Sequence, residues 1–217
     1  MSDSKNGFMP VKKVVISLSE NKLDDLNIFV NGLLGICPGV KIYADGETYV
    51  EIKNIFNQRP GVVKGGELHH LHFEPAGYDI DLAIIGPRAL ATYSESILFN
   101  PEDVDDKRIN LVMTMAANWH RTLILVNPQI EVYQDLIAKL QNNNGMISAV
   151  ARIIYSHEAM SWLHDRTGKM LYILGGAIKW VMTTNKVKPA DIQLRVFYLI
   201  LVYVLTIAKE RVIMLLT

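Results

Sequence analysis

Two hydrophobic rhythms alternate along this chain. Lys13–Leu18 reads KVVISL, apolar and β-branched, the composition of a strand buried on both faces. Leu23, Leu26, Phe29, Val30 and Leu33 then recur at helical spacing, with Ser19 placed to cap that helix and Gly32 near its end. Residues 40–44 predict a second strand, closed by Asp45 and Gly46, and residues 48–55 a short helix packed through Tyr49 and Ile52. Residues 57–73 keep no period and carry Gly61, Gly65 and Gly66, so a long loop is expected, of the kind that often carries function. Residues 79–86 (DIDLAIIG) predict a third buried strand.

Residues 108–148 parse as helix, strand, helix. Ile109, Val112, Met113, Ala116 and Ala117 form the first apolar stripe, and residues 122–126 the strand. Asn127 is placed as an N-cap and Pro128 at the first helical position, with Val132, Leu136, Ile137 and Leu140 inward. Asn142 to Gly145 ends that helix, because Asn and Gly tolerate the left-handed conformation. Strands alternating with helices predict an α/β fold in three layers, a mostly parallel sheet with helices on both faces. Ligands of such sheets sit beyond the carboxyl ends of the strands. That rule selects residues 17–21, 44–48 and 86–89, where helix starts offer free N–H groups to a phosphate.

Past about residue 165 the pattern changes. Residues 170–180 are apolar around Gly175 and Gly176, and residues 196–208 (VFYLILVYVLTIA) are nearly unbroken. Thirteen helical residues span roughly 20 Å against about 30 Å of bilayer hydrocarbon. A buried helix, a core strand or a dimer contact fits that length better than a membrane span. The expected organisation is a domain over 1–165 and an apolar extension over 166–217.

Composition narrows the partners. Lys plus Arg and Asp plus Glu are both 22 in 217 residues, a net charge of zero. Nothing in that balance recommends nucleic acid or an anionic membrane as partner, while self-association into a homodimer is favoured. One phosphorylated small molecule needs only local donors and stays open. Cys37, the single cysteine, suits a reducing compartment and reads as a buried apolar side chain. The opening MSDSKNGFMPVKK holds no apolar leader core, so a cytoplasmic location is expected. His69, His70 and His72 crowd into four positions, yet no fourth ligand follows at useful spacing, and no metal is expected.

Residues 116–148, AANWHRTLILVNPQIEVYQDLIAKLQNNNGMIS, resemble the IMP cyclohydrolase family, whose matching stretch reads AAAKNHKDVAVVVDP before an amphipathic helix. That family forms the N-terminal half of the bifunctional purine-biosynthesis protein and shares the methylglyoxal synthase fold. The likeness runs in order from about residue 13 to 163. Ile16 to Lys22 resembles ISVSDKTG and keeps Ser17 and Ser19; Tyr43 to Thr48 resembles STGGT and keeps Gly46 and Thr48, with Asp45 and Glu47 new. Gly61 to Lys64 and Leu68 to His72 resemble GRVKTLHP, keeping Lys64. Of AAAKNH, Asn118 and Trp119 replace Lys and Asn, and His120 remains.

The resemblance implies closure of a formylated carboxamide ribotide to IMP without a cofactor. Such a reaction asks for a phosphate cradle, donors for an oxyanion and an acid/base pair. By the likeness, Ser17, Ser19, Gly46 and Thr48 would hold the phosphate of a purine ribotide, and Lys64, His69 and His120 would do the chemistry. The Asn at 118 cannot supply the charge of the family's lysine, so a second expectation is an inactive relative that binds a phosphometabolite or another protein. Methylglyoxal synthase is the third, through PEDVDDKR before a helix. The chain is too short for the transformylase half, and no tetrahydrofolate site is expected.

Overall fold

A computed structural model describes residues 7–19, 25–58, 66–71, 79–87 and 107–183, with side chains up to residue 169. The strands are β1 (Phe8–Pro10), β2 (Lys13–Leu18), β3 (Lys41–Ala44), β4 (Glu67–His70), β5 (Leu82–Gly86), β6 (Leu123–Val126) and β7 (Met146–Ser148). The helices are α1 (Leu26–Ile36), α2 (Gly46–Gln58), α3 (Lys107–Ala117), α4 (Ile130–Asn142) and α5 (Ala149–Thr183). The chain divides into two compact units, 1–90 with 100–164 and 91–99 with 165–217.

Five strands form one parallel sheet in the order β4-β3-β2-β5-β6. The central strands are apolar on both faces because both faces are covered. Val14, Ile16, Leu18, Ile42, Leu82, Ile84 and Leu125 pack under α1, α2 and α4. Val15, Ala83, Ile85 and Ile124 turn to the other side, against Val112 and Met115 of α3 and Ala159 of α5. This is the expected α/β layering. Gly32 lets α1 approach α4 closely: a Cβ there would stand 3.0 Å from Ile137.

The amino ends of the strands are braced by polar groups. Asp81 Oδ2 accepts the N–H groups of Lys12 and Lys13, both at 2.9 Å. Arg121 pairs with Asp79 at 2.8 Å and approaches Asp81 at 3.6 Å, and the Thr122 hydroxyl donates to the Ile80 carbonyl at 2.7 Å. β1 and β7 form a separate antiparallel pair. The buried Arg152 guanidinium clamps that pair by donating to the carbonyls of Ile147 and Gly7.

Several boundaries depart from expectation. The 57–73 stretch contains β4, because an edge strand tolerates the polar sequence Glu-Leu-His-His that a central one would not. Ser19 does not cap α1, which begins at Leu26 after Asp25; the Ser19 N–H instead donates to Gly86. Helix α4 begins at Ile130, with Gln129 at its cap. Asn127 extends the sheet by donating to Ile85 and then takes φ 50°. Helix α3 turns Leu111 and Met115 inward with Val112 and Ala116, while Tyr133 joins Leu136 and Leu140 as the buried stripe of α4. Asn144 and Gly145 do end α4 at φ 52° and 74°, and Cys37 is buried. Among the described residues no helix is long and apolar enough to cross a membrane. Leu23, Lys64, His72 and residues 196–208 lie outside the described residues.

Candidate functional site at the carboxyl rim of the sheet

Strands β2 and β3 end side by side, and the chain places its polar side chains where they stop. Ser17, one residue from the end of β2, points to the α3 face beyond Val15 and is wholly buried. Asp45 follows β3 directly, and Gly46 opens α2 with φ 41° and, among the described residues, no heavy atom within 4 Å of a notional Cβ. Among those residues the start of α2 is therefore open above Gly46. Its first-turn N–H groups and its dipole favour an anion.

Arg108 completes this cluster. It stands in the first turn of α3, and its Nε donates to Ser17 Oγ at 3.1 Å. Its Nη2 donates to the Leu18 carbonyl and to Asp45 Oδ2, both at 3.1 Å. Burial pushes the Asp45 carboxyl above the usual carboxylate range, although Arg108 and the hydroxyls of Ser17 and Thr48 pull it down. Asp45 Oδ1 is buried with no hydrogen-bond partner among the described residues. The negative charge the sequence put at this rim is thus answered by a cation from 63 residues further on.

Thr48 has a different role from the one expected. Its hydroxyl accepts the Leu18 N–H at 2.9 Å and donates to the Leu18 carbonyl at 3.1 Å. These two bonds brace α2 against the end of β2, and the side chain is fully buried. Thr48 shapes the rim without facing a ligand. Ser19 is buried beside it.

Of the three residues expected to do chemistry, Lys64 lies outside the described residues. His69 sits on β4, opposite Tyr43 of β3, and stacks on that ring at 5.2 Å. It also contacts Glu67 at 3.2 Å and is 41% exposed. Ser17 is two strands away, about 10 Å across the sheet at the usual strand spacing. His120 lies in the turn leading into β6 and stands edge-on to Trp119. That turn precedes the amino end of a parallel strand, whereas Ser17 is in the row of Val126, at the carboxyl end. The structure brings Ser17, Ser19, Gly46 and Thr48 together, sets His69 to one side, and puts His120 at the opposite rim. Asn118 closes α3 and reaches Thr122 at 3.5 Å, also at the amino rim. No group of three metal-binding side chains exists among the described residues.

No family model and no curated protein matches this chain.

Proposed function

We propose that this chain binds a phosphorylated small molecule of the purine ribotide class at the carboxyl rim, on a methylglyoxal synthase-like scaffold, without closing a ring. The observation that carries the reading is the Arg108 guanidinium, delivered to Ser17 and Asp45 beside the open start of α2. The planar guanidinium of Arg can hold two oxygens of a phosphate at once. Asp45 holds the guanidinium in place. A phosphate dianion at the Gly46 N–H would compete for it, and the raised Asp45 carboxyl is suited to taking a proton as it yields.

The absence of turnover follows from separation. The Lys of AAAKNH is Asn118, and Asn118 and His120 stand at the amino ends of the strands, so no acid or base of that motif faces this rim. An acid/base group must come within hydrogen-bond reach of the proton it moves.

Titration calorimetry with purine 5′-ribotides and their dephosphorylated nucleosides tests the reading. Binding of the ribotide alone, weakened at least tenfold in Arg108→Ala, is the expected result. Equal affinity for nucleoside and ribotide would overturn it. Conversion of the formylated carboxamide ribotide to IMP by the purified chain would overturn the non-catalytic part and restore ring closure.

A further inference from the structure

β6 is the last strand of the sheet, and among the described residues nothing pairs with its outer edge. The N–H groups of Leu123 and Asn127 donate to Asp81 and Ile85 of the β5 segment. By the two-residue alternation of a parallel ladder, Leu125 also faces β5, and the N–H and C=O groups of Ile124 and Val126 face outward.

Two hollows lie along that edge. One, about 550 Å³, is lined by Ile124, Val126, Val132, Glu131 and Trp162 among others; the second, about 490 Å³, begins at Leu123 and runs toward Met146 and Ile147. Tyr155 and Glu158 of α5 wall both. The space thus runs alongside the unpaired strand, with α4 and α5 as its sides. An open strand edge is a template for another extended chain unless something covers it.

We infer that this trough accepts an extended basic peptide, which adds to β6 as a sixth strand. Main-chain bonds to Ile124 and Val126 would give the affinity, and alternate side chains would enter the two hollows. The charge of the partner follows from the rim. Asp135 is paired with Lys139, whereas Glu131 and Glu158 have no ion-pair partner among the described residues and both face the larger hollow. A second copy of this chain would bring the same two carboxylates against themselves, and like charges in close apposition oppose docking. Lysine or arginine side chains satisfy them.

The test uses the full chain and a defined array of capped hexapeptides that alternate Lys or Arg with Val, Ile, Leu or Thr, beside counterparts with Glu in place of each base. Members of the basic set should bind, the acidic set should not, and amide exchange should slow at Ile124 and Val126 while Leu123 and Leu125 stay as they were. Methylating alternate peptide nitrogens of the best binder should abolish binding. Glu131→Gln with Glu158→Gln should weaken it at least tenfold while the chain stays folded by circular dichroism. Equal binding of the acidic set, no binding in either set, or unaltered exchange at Ile124 and Val126 would overturn the inference. So would a dimer in sedimentation that protects the same two amides without peptide.

Discussion

Arg108 meets Asp45 at 3.1 Å with their side chains 17% and 10% exposed, so the first turn of α3 is tied to the end of β3 by a pair that water scarcely reaches. Such a pair is a weak net stabiliser while intact and a costly one to break from one side. Arg108→Ala leaves a buried carboxylate without its cation. The expected loss is about 3 kcal/mol, measured by urea unfolding at neutral pH. Arg108→Ala combined with Asp45→Asn should recover part of it, and strict additivity of the two changes would refute the coupling.

The same carboxylate sets a pH dependence. Its folded-state pKa lies above its ordinary value of 3.8 because of burial. The folded protein therefore keeps this proton to higher pH than the unfolded chain, and stability falls as pH rises through that window. Asp45→Asn removes the contribution. The stability difference, variant minus wild type, should rise with pH from the ordinary aspartate value to the raised one and then level off. A flat difference across acid pH would contradict the burial argument.

Thr48 and Leu18 offer a cleaner case. Thr48→Val keeps the shape of the side chain but orphans the Leu18 N–H in a buried site, while the Leu18 carbonyl keeps its bond from Arg108. An unsatisfied buried group costs about 1–3 kcal/mol, and a loss in that range is expected. Thr48→Ser should restore most of it. If valine is neutral in chemical denaturation, the hydroxyl is not the brace described.

Gly145 is constrained twice. Its φ is 74°, and an added Cβ would stand 3.0 Å from Cys37 Sγ. Gly145→Ala should destabilise by about 1–2 kcal/mol from the backbone alone, with a further loss from the contact. Cys37→Ala in the same chain should relieve only the second part. The thiol, pushed up to about 11 by burial, should react with iodoacetamide at pH 8 only as fast as the chain opens.

The legible parts of the fold were those where burial dictates composition. KVVISL, LAIIG and LILV have no polar alternative when covered on both faces, and the Asn-Gly stop after α4 has a conformational signature of its own. β4 was illegible because an edge strand needs no such composition. Its histidines lean on Tyr43 and Tyr49, contacts that link separate parts of the chain. Of the rim, Ser17, Gly46 and Thr48 were readable as strand-end residues, but the target of the Thr48 hydroxyl was not. Arg108 was missed, although a signal exists. A cation in the first turn of a helix opposes the helix dipole, so a specific anion elsewhere should be sought for it; here that anion is Asp45.

One consequence of Asp81 concerns the order in which the molecule is made. The carboxylate that fixes the start of β2 arrives 68 residues after Lys13. At about 5–20 residues per second, a nascent β2 waits roughly 3–14 s with its inner edge unmatched and Val14, Val15 and Ile16 without their second neighbour. A ribosome-bound chain halted before residue 79 should therefore be captured by chaperones and cut readily by protease. One halted well past β6, with its tail clear of the exit tunnel, should resist both.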